Sequence, residues 1–234
     1  MQVCRLFLFT LFLLFAVSSL FAQKNENKGW VFLSHTQKLN SKWDVLFDAQ
    51  VRSTNQVKFI NTLLLRSAIN YHLNKKHSVA LGYASKNDWE HEDGKAIQYQ
   101  PEHRIYQQYL FATKAAKIEL TARARFEQRF VKEDKVFLFS QRARAFFAAQ
   151  IPVIANKDFS KGWYVNLQNE TFVNVTNRQH VNNDFFDQNR LFSAIGYRWS
   201  KKIDTEFGYM WWRQSQADGY LSSNVYQLMI TTEL

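Results

Sequence analysis

Apolar and polar residues alternate with a period of two along most of the chain beyond residue 22. In residues 117–131, one parity is apolar from Ile118 to Phe130 except at Gln128, and the other carries Glu, Thr and Arg. Successive side chains of a β-strand point to opposite faces, so this segment predicts a strand with one apolar and one charged wall. A helix would distribute both kinds of residue around its circumference.

Similar alternation predicts eleven strands, and no segment shows convincing helical periodicity. Most of these segments span about 12–15 residues, whereas strands of soluble sheets average about 5–6 and membrane-crossing strands need about 9–11. The sequence therefore predicts an all-β fold, a transmembrane antiparallel up-and-down β-barrel of 10–12 strands. Because bacterial single-chain barrels have even strand numbers, we expect ten or twelve strands and favour twelve. The segments are 30–37, 42–53, 63–73, 77–90, 99–113, 117–131, 136–151, 161–174, 187–199, 202–215 and 223–234.

Aromatic residues and connection lengths support the membrane interpretation. Trp and Tyr lie near strand ends, where outer-membrane barrels carry aromatic girdles, although a soluble sandwich would bury them in its core. Short connections at 74–76, 114–116 and 200–201 alternate with longer ones at 91–98, 175–186 and 216–222, as periplasmic turns and outside loops do. Only 151–160, which contains Pro152, is long for the periplasmic side. The aromatic residues concerned are Trp43, Tyr71, Tyr83, Trp199 and Trp211.

The first 22 residues have the layout of a secretory signal peptide. Arg5 supplies the positive charge, Leu6–Val17 the apolar run, and a small-residue region ends at Ala22. The alternative is an uncleaved anchor, but the apolar run is shorter than the roughly 17–25 residues of a membrane-spanning helix. We therefore expect residues 1–22 to be a signal peptide and 23–234 to be one barrel domain in the outer membrane of a Gram-negative cell.

Composition alone gives a different first impression. The chain has 30 Lys and Arg against 20 Asp and Glu, a net charge of +10 that is typical of nucleic-acid-binding proteins. Export makes a nucleic-acid partner improbable, so we expect none. The mean hydropathy of −0.38 is too polar for a bundle of membrane helices. The one cysteine, Cys4, lies in the predicted signal peptide, so disulfide and thiol chemistry are not expected in the mature chain.

Parity places a set of charged side chains on the inner wall of the predicted barrel. Ten are basic and nine acidic, which makes the lumen almost neutral. We single out a lumen charge network of Glu102, Arg104, Arg123, Arg125, Glu127, Arg129, Arg142, Arg144, Glu170 and Arg190. The remaining inward charges are Arg52, Arg66, Arg198, Asp44, Asp48, Glu119, Asp204, Glu206 and Glu233.

Two interpretations of this inner wall remain open. The charges form an ion-pair lattice that fills a structural barrel or narrow conduit, or the arginines line a water-filled, porin-like channel for small anions or acidic oligosaccharides. At 10–12 strands both are compatible with barrel size. We favour the lattice, because a nearly neutral wall is a poor anion filter.

A third interpretation is an outer-membrane barrel hydrolase, which we do not favour. His72 is the only histidine clearly on the polar wall, and no phosphate-binding loop, CxxC or HExxH motif is present. Glu90, His91, Glu92 and Asp93 form an acidic loop cluster that suits Ca²⁺, but a solvated loop is the simpler interpretation. We therefore expect no catalytic residue, no cofactor and no metal.

Six short strings together resemble the domain-of-unknown-function 2490 family, over essentially the whole mature chain. They are EHRIYQQ at 102–108, RARFEQR at 123–129, RAR at 142–144, ETFVN at 170–174, FDQNR at 186–190 and GYM at 208–210. The resemblance implies a small exported barrel of the outer membrane and implies no activity. The expected partners are outer-membrane lipid and, during biogenesis, periplasmic chaperones and the barrel-assembly machinery.

Overall fold

A computed structural model describes residues 24–90, 97–216 and 219–234. In these ranges the chain forms eleven strands and two 3-10 helices, Asn55–Val57 and Arg178–His180. No helix in the described ranges is long and apolar enough to cross a membrane. The predicted signal peptide, 1–22, lies outside the described residues. The strands are β1 Lys24–Lys38, β2 Trp43–Ser53, β3 Ile60–His72, β4 His77–Glu90, β5 Gln98–Ala115, β6 Ile118–Glu133, β7 Val136–Ala155, β8 Gly162–Thr176, β9 Phe186–Ser200, β10 Ile203–Gln216 and β11 Gly219–Glu233.

The strands form one closed barrel, which confirms the predicted all-β barrel fold. Strands adjacent in sequence pair antiparallel, and the ring closes where β1 runs parallel to β11, from Lys24 opposite Leu221 to Thr36 opposite Glu233. The expectation of ten or twelve strands, with twelve favoured, is therefore wrong. An even number is required only if the first and last strands close antiparallel, and a parallel closure accommodates eleven.

Two predicted connections are shorter in the structure because the strands extend into them. β7 continues past Pro152 to Ala155, and a register shift between Pro152 and Ile154 accommodates the residue that has no N–H to donate. β10 reaches Gln216 and pairs it with Gly219, the first residue of β11. The long connection predicted at 216–222 is thus reduced to residues 217–218.

The barrel has two ends. The turn end holds the connections 39–42, 73–76, 116–117, 156–161 and 201–202. The loop end holds the connections 54–59, 91–97, 134–135, 177–185 and 217–218. Two of the loop-end connections are as short as any at the turn end, so the two ends differ less in length than the sequence predicts.

The alternation of residues separates two walls of the sheet. Large apolar side chains such as Ile69, Leu81 and Ile195 are exposed on the outer wall. Charged side chains such as Arg142 and Glu127 are buried on the inner wall. This arrangement is the reverse of a soluble sheet, in which the apolar face is covered and the polar face is exposed.

Candidate functional site in the barrel lumen

Ion pairs between strands that are not neighbours show which wall faces the lumen. Arg123 on β6 reaches Glu170 on β8, with an Nη2–Oε1 distance of 2.7 Å. Arg142 on β7 reaches Asp187 on β9, with an Nη1–Oδ2 distance of 2.7 Å. Because a strand lies between the partners in each case, the side chains meet inside the barrel.

Glu127 is the centre of this network and is 1% exposed. Its Oε2 accepts a hydrogen bond from Arg142 Nη2 at 2.6 Å, and its Oε1 accepts one from Arg144 Nη1 at 2.5 Å. Arg125 Nη1 lies 3.9 Å from the same Oε1. One carboxylate therefore holds two guanidinium groups in charge-assisted hydrogen bonds and a third at longer range.

Two further carboxylates extend the network. Glu170 Oε1 accepts from Arg144 Nη2 at 2.7 Å, so Arg144 bridges it to Glu127. Glu102 binds Arg104 through two bonds of 2.8 and 2.7 Å and also accepts from Arg129 Nε at 2.5 Å. Of the ten residues singled out from the sequence, Arg190 is the one for which the described residues provide no ion pair.

Parity missed several inward charges close to the loop end. Asp187 immediately precedes inward-facing Gln188, yet it bonds to Arg142, because a register shift between Phe172 and Val173 disturbs the alternation there. The pairs Lys86–Asp88 and Lys28–Glu26 were also missed, because they lie near strand ends where the period weakens. No sequence signal marks the bulge that turns Asp187 inward.

The charges of the lumen are separated along its axis, and this differs from the uniform neutrality that the sequence suggests. We call the cavity of about 140 Å³ at the loop end the loop-end chamber. Asp187 is its one acidic lining residue among the described residues, whereas its basic lining residues are Arg52, Arg66, Lys86, Arg104, Arg129, Arg142, Arg144 and Arg190. The inward acids Asp44, Glu119, Asp204, Glu206 and Glu233 lie near the turn end. A total close to zero therefore conceals a loop-end chamber lined mainly by basic residues and a group of acids near the turn end.

A second cavity, the central chamber of about 340 Å³, lies between the loop-end chamber and the turn end. Arg66, Arg144 and Arg190 border both chambers. Phe172 is 1% exposed and lies beneath Arg142, Arg144 and Arg190, whose guanidinium carbons are 5.0, 4.4 and 4.8 Å from the ring centre. This aromatic and cationic layer restricts the passage between the chambers.

At the turn end, the connection 156–161 folds into the barrel mouth. Phe159 is 3% exposed, and the Arg198 guanidinium lies 4.0 Å above its ring while donating to its carbonyl oxygen at 3.0 Å. Arg198 is itself held by Asp204 and Glu119, each at 3.0 Å. This connection, the longest at the turn end, thus places Phe159 against Arg198.

Two carboxyl groups at this end have different surroundings. Glu206 accepts hydrogen bonds from Tyr164 Oη at 2.8 Å and Asn166 Nδ2 at 2.8 Å, and the described residues provide it with no cationic partner. Asp158 in the exposed turn accepts a hydrogen bond from Ser160 and faces Lys201, and these contacts lower the pKa of its carboxyl group. Glu206 is therefore an inner-wall carboxylate stabilised by neutral donors instead of arginine.

The residues considered for catalysis and metal binding do not assemble into a site. His72 Nε2 lies 2.5 Å from Asp44 Oδ2, and Asn70 donates to the same carboxylate at 3.2 Å. Within the part of the chain that the structure describes, no hydroxyl group bonds to His72. The described residues also contain no cluster of metal ligands, whereas 91–93 of the proposed Ca²⁺ loop lie outside them.

These observations define a closed all-β barrel with an apolar outer wall and a charged interior. A family model described as "Protein of unknown function (DUF2490)" matches residues 27–222, and the chain belongs to this family. The resemblance drawn from the six strings is thereby confirmed. No curated protein and no solved structure matches the chain.

Proposed function

We propose that the protein is an integral outer-membrane β-barrel with a structural role, whose lumen is closed to bulk flow by an ion-pair lattice. The observation that carries the proposal is the exposed apolar outer wall. Soluble proteins rarely expose apolar patches above a few hundred Å². Here residues more than half exposed occur on strands all around the ring, namely Ile69, Leu81, Phe147, Leu191, Ile195 and Phe207.

Polar side chains on the outer wall support a lipid environment because they bond to one another. Gln107 and Gln128 exchange reciprocal amide hydrogen bonds of 3.2 and 3.1 Å. Tyr209 donates to Asn224 at 2.7 Å. In hydrocarbon there is no water to satisfy such groups, so pairing between adjacent strands removes the cost of exposing them. Gln128, the polar exception in the alternation of β6, is explained in this way.

Aromatic pairs lie where the girdles of a membrane barrel are expected. At the turn end, Trp43 lies 4.7 Å from Tyr71, and Tyr197 lies 5.0 Å from Trp163, measured between ring centres. Other pairs lie toward the loop end, including Trp89 with Tyr99 at 5.7 Å. Together with the predicted signal peptide, the two belts support export and assembly by periplasmic chaperones and the barrel-assembly machinery.

The interior supports occlusion more than conduction. Arg–Glu and Arg–Asp pairs join strands that are not neighbours, Phe172 lies beneath Arg144 and Arg190, and Phe159 packs against Arg198 at the turn end. Small barrels of about eight strands are filled by side chains, and wide aqueous channels need about 16–18. The second candidate function is a narrow conduit for anions, and the basic lining of the loop-end chamber supports it. Neither alternative involves catalysis, and we propose no enzymatic activity.

Refolding and conductance test this proposal. We expect protein refolded in detergent to show a β-type circular dichroism spectrum, heat-modifiable gel mobility and no steady current in planar bilayers. For comparison, the double variant F172A/R144A removes two of the four residues in the layer between the chambers and should conduct more than the unaltered protein once inserted. Stable solubility of the folded protein without detergent would contradict the membrane location. A steady anion-selective current from the unaltered protein would replace the closed lattice with the conduit.

A further inference from the structure

Two arginines of the loop-end chamber have no carboxylate partner. Arg52 on β2 is buried, and its Nη2 and Nε donate to the neutral Gln50 Oε1 at 2.6 and 3.2 Å. Arg190 on β9 donates from Nη2 to the neutral Gln188 Oε1 at 3.2 Å. The described residues provide neither guanidinium group with an ion pair, although the other cations around the chamber each have one.

The two guanidinium groups lie against the same ring. Their Cζ atoms lie 4.0 Å (Arg52) and 5.2 Å (Arg190) from the centre of the Trp30 ring. Arg190 Nε is enclosed and has no hydrogen-bond acceptor among the described residues. The chamber therefore presents two like charges and an unused N–H donor in one enclosed space.

Such an arrangement is costly unless an anion completes it. An uncompensated buried charge destabilises a protein, and repulsion between neighbouring like charges adds to that cost. Planar guanidinium forks match the oxygens of phosphate or carboxylate through paired hydrogen bonds. We propose that the loop-end chamber is a binding site for a small phosphate-like oxyanion held between Arg52 and Arg190.

The size of the chamber selects among anions. Its volume is about 140 Å³, whereas one water needs about 10–15 Å³ of the same kind of space. A compact tetrahedral oxyanion fits, but an acidic oligosaccharide does not. The other arginines of the wall are held by Glu102, Glu127 or Asp48, so they enclose the ligand without being free to bind it. This site goes beyond the proposed structural function and requires only the folded barrel.

Inorganic phosphate is the probe for this site. The protein is refolded in a maltoside detergent, which supplies no headgroup phosphate, and its melting temperature and calorimetric binding are measured against phosphate. Sodium chloride at equal ionic strength serves as the reference. We expect saturable stabilisation by phosphate alone, and equal stabilisation by chloride would overturn the proposal. A second arm with phosphatidylglycerol and no free phosphate distinguishes a lipid headgroup as the source of the same chemistry.

Substitutions test whether phosphate binds to Arg52 and Arg190. Arg52→Gln and Arg190→Gln should each weaken phosphate binding at least about tenfold, the effect of losing one charge-assisted contact. Arg178→Gln is the matched control, because Arg178 is an exposed loop arginine that contacts Phe185 and should leave binding unchanged. Unchanged binding in both lumen variants, or equal loss in the control, would overturn the assignment.

Gln50→Glu provides a variant that does not depend on removing a charge. A carboxylate at this position replaces the amide oxygen that already accepts a hydrogen bond from Arg52. Its negative charge therefore balances the charge of Arg52 without a bound anion. We expect a higher melting temperature without phosphate and at least about tenfold weaker phosphate binding. Undiminished binding would overturn the site. A folded barrel that binds no phosphate rejects this inference alone, whereas failure to fold in detergent rejects the proposed function.

Discussion

Trp211 and Trp212 are neighbours on β10 and show how differently the two walls are built. Trp211 on the outer wall is 36% exposed, whereas Trp212 on the inner wall is 8% exposed and donates from Nε1 to Gln188 at 2.5 Å. On the outer wall apolar side chains are exposed, whereas on the inner wall charged side chains are buried and paired. One strand therefore satisfies two opposite environments, which is the requirement for a sheet between lipid and a polar interior.

The inner wall is also divided along its length. Toward the loop end, arginines outnumber carboxylates, and Arg52 and Arg190 share a chamber without ion pairs. Toward the turn end, Glu206 is held by neutral donors, and Arg198 is saturated by Asp204 and Glu119. Most arginines in the middle of the inner wall are therefore paired with carboxylates, whereas Arg52 and Arg190 at the loop end have none among the described residues and form the proposed anion site.

The largest effect is expected from breaking the centre of the inner wall. Glu127→Ala leaves Arg142 and Arg144 without this carboxylate and should lower the free energy of unfolding by roughly 3–5 kcal/mol. Denaturant unfolding of the refolded barrel, followed by tryptophan fluorescence, measures the loss. Glu133→Ala, at the exposed end of the same strand, is the control and should change stability by less than about 0.5 kcal/mol. Equal effects would show that the network contributes no specific stability.

The outer wall is tested by placing a charge on it. Ile195→Arg, in the middle of β9, should destabilise the protein in lipid vesicles by roughly 2–4 kcal/mol at the proposed membrane midplane. Leu39→Arg, in the exposed 39–42 turn, should be nearly neutral. Unfolding titrations in vesicles provide the comparison. If both substitutions are neutral, the outer wall at Ile195 faces water.

A smaller effect is expected at the paired glutamines of the outer wall. Gln107→Leu leaves the Gln128 amide without its partner and should cost about 1–3 kcal/mol, whereas the double substitution with Gln128→Leu should be nearly neutral. A double-mutant cycle in vesicles measures the coupling. Additive losses from the two single substitutions would show that the amides do not depend on each other.

The smallest effect is expected in the exposed turn at Asp158. Because the folded state lowers the pKa of this carboxyl group, its contribution is fully present above the ordinary value of about 3.9 and is lost as the pH falls through the lower folded value. Asp158→Asn should therefore be less stable than the unaltered protein at pH 6, and the gap should close below about pH 4. A gap in melting temperature that is independent of pH would contradict this assignment.

The sequence predicted the fold well because period-two alternation is a local property. Parity also placed Glu127 and its arginine partners on one wall, since each lies away from the strand ends. Three features could not be predicted from parity because they arise from contacts between distant segments. They are the parallel contact of β1 with β11, the bulge that turns Asp187 inward, and the insertion of Phe159 under Arg198.

The separation of charge along the barrel axis could not be predicted from the sequence for a related reason. Parity assigns a residue to a wall, but position along the barrel depends on strand register, which is fixed only by pairing. Arg190 and Glu206 therefore entered the same total although they lie toward opposite ends of the lumen. A sum over the inner wall therefore does not describe the surroundings of each charged group.

Tryptophan quenching by brominated lipid tests whether the outer wall contacts the membrane. Two variants retain a single tryptophan, Trp211 or Trp212, with Phe at the other six positions, and are reconstituted in vesicles of bromine-labelled phosphatidylcholine. We predict strong quenching of Trp211 by the lipid and little quenching of Trp212, one residue away on the same strand. Equal quenching of the two, or quenching of Trp211 by aqueous iodide and not by lipid, would contradict an outer wall in contact with the membrane.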